Sequence, residues 1–270
     1  MKVIRFEDPD GIIRLGEVSD PSVGASARLL TGDLLGPLTV TEEVVEVARL
    51  LAPLEPTNII AIGLNYRKHA EEGGAAIPDH PLVFAKLTSS LLAPGEAIQL
   101  PQAAPDEVDF EAELAVVIGK CARHVSEEDA LGHVLGYLCA NDVSARDCQK
   151  HRDRQWTRGK SFDTFCPLGP CLVIDSNIDP NALPIRSRMD GRVMQESNTA
   201  DMIFSVPQLI SYLSKQFTLL PGTVILTGTP EGVGFARDPA VYLREGSTIE
   251  VEIDGIGALV NPVRCEQVAT

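Results

Sequence analysis

An alternating acidic and apolar run, Asp109-Phe110-Glu111-Ala112-Glu113-Leu114-Ala115-Val116-Val117-Ile118-Gly119, leaves few folds open to this chain. Successive side chains of a strand point to opposite faces, so Phe110, Ala112, Leu114, Val116 and Ile118 form one core face. Asp109, Glu111, Glu113, Ala115 and Val117 form the other, which starts acidic, turns apolar and is expected to be partly covered. Glu111 and Glu113 lie two strand rises apart, about 6.6 Å, and would repel by roughly 2.5 kcal/mol at an effective dielectric near 20. Either that face is solvated, or a cation sits between the two carboxylates.

At 270 residues and 44% apolar content the chain can bury a large core, as one long domain or one domain with a small attachment. No apolar run approaches the ~18 residues of a membrane span, and the start of the chain lacks the apolar core of a signal peptide. The six cysteines are scattered singly, without Cys-x-x-Cys, which suggests small core residues in a reducing, cytoplasmic setting. A net charge of −15 argues against nucleic acid as partner. An anionic substrate would therefore need its own local positive field.

In chain order, residues 2–6 and 12–18 alternate around Asp8-Pro9-Asp10-Gly11, a hairpin. Residues 41–51 are read as a helix with acids in its first turn. The two prolines at 53 and 56 mark a boundary, giving a small N-terminal unit, 1–52, and a main domain, 53–270. Asn58–Gly63 is a buried strand leading to Arg67-Lys68-His69-Ala70-Glu71-Glu72-Gly73-Gly74. On a helical turn His69 and Glu72 share a face, either as an exposed ion pair or as a general base with its orienting carboxylate. Residues 81–86 form a strand ending in Lys86, and Ser126-Glu127-Glu128-Asp129 is a capped helix start. Asp142 closes an apolar strand, where it either makes an Asx turn or adds a third carboxylate to Glu111 and Glu113. Three carboxylates without Cys or His would select Mg²⁺, Mn²⁺ or Ca²⁺ over zinc.

Residues 146–160 hold Arg146, Lys150, Arg152, Arg154, Arg158 and Lys160 against Asp147 and Asp153. This reversal of sign offers an anion-attracting wall. Gly159-Lys160-Ser161 is no phosphate loop, because Arg154 occupies the position that needs glycine. The last third holds hairpins around Asp190-Gly191 and Asp254-Gly255, a helix near 206–215, the strand Thr223–Thr227, and the loop Gly228-Thr229-Pro230-Glu231-Gly232-Val233-Gly234. That loop is a surface turn or a substrate contact. Dispersed strands with few helices make the class α+β.

Six pieces occur in order over about residues 55–265: Gly63-Leu64-Asn65-Tyr66 with His69 and Glu72; Phe84-x-Lys86; Asp109-x-Glu111-x-Glu113; Asn141-Asp142-Val143-Ser144-x-Arg146-Asp147; Gly159-Lys160-Ser161-Phe162-Asp163; and Thr227-Gly228-Thr229-Pro230-x-Gly232. Together they resemble the fumarylacetoacetate hydrolase family. The resemblance implies a mixed β-roll, a homodimer, and Mg²⁺ or Mn²⁺ (Ca²⁺ as a substitute) on Glu111, Glu113 and Asp142, acting on a small anionic 2-oxo acid. His69, Glu72 and Lys160 would be catalytic, and Lys86, Arg146, Gln149 and Thr229 would contact substrate. The leading expectation is metal-dependent hydrolysis of a C–C bond in an acylpyruvate-like 2,4-dioxo acid, with His69 activating water. The same site would also serve a 2-oxo acid decarboxylase such as one for oxaloacetate, or an isomerase of 2-oxo or 2-hydroxy dienoates. A metal-stabilised scaffold without turnover is the third reading, and it gives no use to a His–Glu dyad and a lysine beside a metal.

Overall fold

The alternating N-terminus pairs as expected. β1 (Lys2–Glu7) and β2 (Ile13–Glu17) form an antiparallel hairpin, and Asp8 Oδ1 accepts from the backbone N–H groups of Asp10 and Ile12 in its turn. The structure is a computed structural model that describes residues 1–152 and 155–267. Asp153 and Arg154 of the cationic segment lie outside the described residues.

Residues 41–51 are not a helix. β3 (Ser26–Gly32) pairs with β4 (Leu38–Glu46), and β5 (Arg49–Leu51) pairs with β1. Thr39, Val40, Thr41, Val44 and Val45 are β-branched and suit a pleated surface better than a helix. The register Ala27↔Val45 and Leu30↔Val40 supplies the partner strand that local reading could not see. The N-terminal strands continue the main sheet, because β1 also pairs with β14 (Cys166–Val173) at Lys2↔Val173 and Val3↔Leu172.

The central segment then runs β6 (Asn58–Gly63), α1 (Arg67–Glu72), β7 (Leu82–Lys86), β8 (Leu91–Leu92), β9 (Ile98–Leu100), β10 (Val108–Asp109), β11 (Ala112–Ile118), β12 (Val134–Asn141), β13 (Ser144–Ala145) and α2 (Trp156–Lys160). The run 109–119 is thus two strands. Asp109 Oδ1 accepts from Phe110 N, and Glu111 N donates to the side chain of Asn141, so side chains replace ladder bonds at the break. The capped start at Ser126 forms its cap with Asp129 but yields only a 3₁₀ turn, Ala130–His133, because Gly132 and β-branched Val134 lead straight into β12.

The chain closes with β15 (Pro184–Met189), β16 (Arg192–Asn198), α3 (Val206–Gln216), β17 (Thr223–Leu226), β18 (Thr248–Ile253) and β19 (Gly257–Cys265). A 12-stranded sheet runs β4-β3-β2-β1-β14-β12-β11-β17-β6-β7, with β5 on β1 and β8 on β14 off that path, and a five-stranded sheet runs β16-β15-β18-β19-β9. Leu114, Val116 and Ile118 share one apolar cluster with Ile210 and Leu213 of α3 and Val251 and Ile253 of β18. Ala115 and Val117 share another with Val3, Leu30, Leu138 and Val224. Both faces of β11 are therefore fully buried, more than the partial cover expected for its second face.

Topology gathers one rim. β11 is antiparallel to β12 and β17, and β17 is parallel to β6. The start of β11 therefore lies beside the ends of β12, β17 and β6, and loops at this edge carry Glu111, Asp142 and Thr229, while α1 after β6 carries His69.

Candidate active site

Glu111 precedes β11, Glu113 stands on it, and Asp142 follows β12 in the neighbouring register, Ala112↔Asn141. Asp142 N donates to Glu111 O at 2.9 Å, which locks the two ends together. All three carboxylates are buried, and one oxygen from each lies within 4.8 Å of the others. Such a cluster requires nearby cations. Lys160 Nζ donates to Glu111 Oε2 at 2.7 Å and to Asp142 Oδ2 at 2.6 Å. Arg146 Nη2 lies 2.7 Å from Glu111 Oε1 and 2.8 Å from Asp109 Oδ2. Burial pushes Glu111 up, but Lys160 and Arg146 outweigh it and hold the carboxyl down at about 2. Burial lowers the Lys160 ammonium, and the adjacent Asp142 and Glu111 lift it above its ordinary value.

Glu113 differs. Its Oε2 accepts from Gly228 N at 2.7 Å, and no cation pairs with it among the described residues. Burial first, then Asp142 and Glu111, push its carboxyl well above the usual range. Four buried acids (Asp109, Glu111, Glu113, Asp142) face three buried cations (Lys86, Arg146, Lys160), so one negative charge is in excess when Glu113 is ionised with the rest. An all-oxygen donor set with that imbalance fits a hard divalent ion. Adding one turns the cluster net positive, which supplies the local field an anionic substrate needs in a chain of net charge −15. Mg²⁺ or Mn²⁺ at a hundred times its dissociation constant is expected to stabilise the fold by about 2.7 kcal/mol. Thermal unfolding with titrated metal measures this, and an unmoved midpoint would remove the metal from the site.

The dyad forms as the spacing suggested. His69 Nδ1 lies 3.2 Å from Glu72 Oε2. A carboxylate only accepts, so Nδ1 donates here, and in the neutral ring Nε2 then holds the lone pair. Glu72 Oε1 accepts from Gly232 N at 2.9 Å, which ties α1 to the glycine-rich loop. That loop is no surface turn, since Gly228, Thr229 and Pro230 are buried. Gly228 has φ +100°, and a Cβ there would meet Asn65 Cβ at 2.7 Å. Asn65 anchors the same corner through Thr227 O (2.7 Å) and Phe204.

His69, Glu111, Glu113, Arg146, Gln149, Lys160 and Thr229 all line one cavity of about 250 Å³. Two of the expected substrate contacts stand otherwise. Lys86 does not line the cavity; its ammonium donates to Asp142 Oδ1 (2.6 Å), Val143 O (3.3 Å) and Lys160 O, which uses all three of its hydrogens. It supports Asp142 from behind. The Arg146 fork is spent on Asp109 and Glu111, and its Nη1 donates to Gln149 Oε1 at 2.9 Å.

Motif reading overlooked three groups. Asp109 holds Arg146 and accepts from Gly234 N and Phe235 N. Gln195 Nε2 donates to Thr229 Oγ1 (2.7 Å) and Pro230 O (2.9 Å), while its Oε1 accepts from Ala112 N. Phe235 sits edge-on to His69, with ring centroids 6.5 Å apart. Only Asp109 carried a signal, its place in the alternating run. Gln195 and Phe235 reach the site from distant strands and loops. Among the described residues no helix is long and apolar enough to cross a membrane.

A rolled mixed sheet with a buried carboxylate triad, its lysine and a His–Glu dyad on one rim defines a class of small-molecule enzymes. The comparisons place the chain within it. Residues 58–264 match the family model described as fumarylacetoacetate (FAA) hydrolase C-terminal, and residues 1–53 match one described as Rv2993c-like, N-terminal. The chain belongs to the fumarylacetoacetate hydrolase family. It is 51% identical to the mitochondrial oxaloacetate tautomerase fahd2 of Xenopus laevis over 217 residues, 79% of this chain and 68% of that protein. It is 42% identical to the human mitochondrial oxaloacetate tautomerase FAHD2A over 258 residues, 94% of this chain and 80% of that one. The crystal structure of 5-carboxymethyl-2-hydroxymuconate delta-isomerase from Mycobacterium smegmatis superposes with a TM-score of 0.87 at 38% identity, covering 98% of this chain and all of that one.

Proposed function

We propose that this enzyme interconverts the enol and keto forms of a small 2-oxo dicarboxylic acid, oxaloacetate being the test substrate, with Mg²⁺ or Mn²⁺ on Glu111, Glu113 and Asp142. The observation that supports it most is that His69, Glu111, Glu113 and Lys160 line one cavity, with Glu72 bound to His69 and Asp142 bound to Lys160 beside it. The names of the relatives point the same way, toward proton movement within a 2-oxo or hydroxy-dienoic acid. A bound divalent ion would supply Lewis acidity at the substrate's 2-oxygen.

The side chains do the rest. His69 Nε2 takes the enol O–H proton on its lone pair and passes it to C3, and the reverse step carries the same proton back to the oxygen; the composition of the substrate is unchanged. Glu72 holds the ring in the tautomer that this needs and steadies its charge. The Lys160 ammonium, fully buried, meets negative charge gathering on the 2-oxygen, where a low dielectric makes it most effective. Phe84, Trp156 and Phe235 wall the cavity and keep bulk water from the carbon being protonated.

Hydrolysis of a C–C bond in an acylpyruvate is the second reading, favoured by the same dyad, because His69 Nε2 could instead take a proton from water. Decay of the enol's ultraviolet absorbance, with and without enzyme, tests the first reading, and acylpyruvate loss tests the second. Accelerated ketonisation that a chelator stops and Mg²⁺ restores is the expected result. Acylpyruvate cleavage without any acceleration of ketonisation would make the enzyme a hydrolase. A homodimer is also proposed, on the family resemblance, and light scattering in solution measures it.

A further inference from the structure

Three cations line the cavity, and two of them are spent. Lys160 is bound by Glu111 and Asp142, and Arg146 by Asp109 and Glu111. The third, Lys150, has no carboxylate within ion-pair distance among the described residues. Its ammonium instead lies 3.2 Å from the centroid of the Phe235 ring, and the Arg146 guanidinium carbon lies 4.4 Å from the same centroid. An aromatic face steadies a cation but does not neutralise it. Burial first and then the neighbouring Arg146 pull the Lys150 ammonium below its ordinary range, and the more distant Asp109, Glu111 and Glu107 only partly offset them.

The arrangement is held firmly. Asp109 fixes Arg146 through Oδ2 and fixes the loop bearing Phe235 through the N–H groups of Gly234 and Phe235. Lys150 stands on a π-helical turn, Asp147–Arg152, on the exposed side of the cavity. It lines the same cavity as Glu111, Arg146 and Phe235. A substrate whose 2-oxo acid end lies at the triad would extend its other end toward this charge.

We infer that Lys150 recognises the distal carboxylate of the substrate and thereby selects 2-oxo dicarboxylates over 2-oxo monocarboxylates. The inference rests on the reading of the cavity as a 2-oxo acid site, and its test is kept separate from turnover. Malate and 2-hydroxybutanoate share the 2-hydroxy acid end and differ in a distal carboxylate against a methyl group. Calorimetric titration of both into the Mg²⁺-supplemented enzyme should show malate binding more tightly. Lys150→Met should weaken malate about tenfold or more while leaving 2-hydroxybutanoate unchanged, and Lys150→Arg should restore most of the loss. Equal weakening of both ligands, or of neither, overturns the assignment. If the pair behaves as expected but ketonisation is not accelerated, distal-carboxylate recognition stands and the proposed reaction falls. If ketonisation is accelerated and Lys150→Met binds malate like wild type, the reverse holds.

Discussion

His69→Ala slows enol-to-keto conversion of oxaloacetate by about 10²–10⁴-fold, the usual contribution of a positioned general acid–base, with the loss falling in kcat more than in KM. The expectation follows from geometry: with Nδ1 committed to Glu72 at 3.2 Å, Nε2 is left for the substrate. Glu72→Gln keeps the volume and the contact with Gly232 N but removes the charge that steadies the protonated ring, so its loss is smaller and again in kcat. Stopped-flow decay of enol absorbance gives both numbers. A His69→Ala enzyme within about twofold of wild type would leave His69 and Glu72 as a structural pair without a part in the reaction. Should oxaloacetate be untouched while acylpyruvate cleavage collapses, the dyad serves water and the hydrolytic reading takes over.

Lys160→Met carries the largest expected cost to stability. Removing one partner of a buried ion pair leaves charge under-compensated, a loss of up to about 3–5 kcal/mol; here Glu111 keeps Arg146 and Asp142 keeps Lys86, but both lose Lys160. A divalent ion on the same oxygens replaces the missing charge, so the deficit should be full in chelator and much smaller in Mg²⁺. Urea unfolding in the two buffers measures it, and an identical deficit in both would mean that the ion and Lys160 do not share these carboxylates. Acid has a definite sign. Glu111 sits at about 2 against an ordinary 4.5, so the stability it contributes is complete above the ordinary value and is lost as pH falls through the folded one. Lys160 supplies the larger of the charge interactions that hold it there, so the gap between wild type and variant should narrow from about pH 5 to about pH 2.

Much of the chemistry was legible before any coordinates. Spacing alone put His69 and Glu72 on one helical face, alternation put Glu111 beside Glu113, and an all-carboxylate set pointed to a hard cation. The hairpins at Asp8–Gly11, Asp190-Gly191 and Asp254-Gly255 were readable because turn chemistry is local. What failed was equally physical. Residues 41–51 carry helix-compatible acids, but β3 offered a paired edge, and pairing decided the conformation.

The roles of the cations could not be read from the chain at all. Lys86, Arg146, Lys150 and Lys160 are similar in kind, and sequence places three of them within fifteen residues. Folding separates them by what lies within reach: Lys86 is enclosed by Asp142 and two carbonyls, Arg146 is committed to Asp109 and Glu111, and Lys150 is left against Phe235. A charge without a near counter-charge is the one left for an outlying carboxylate, and partners 37, 49 and 85 positions away along the chain are brought near only by folding. Sequence by itself determined which chemistry the chain carries; tertiary structure decided which of its charges are free to act.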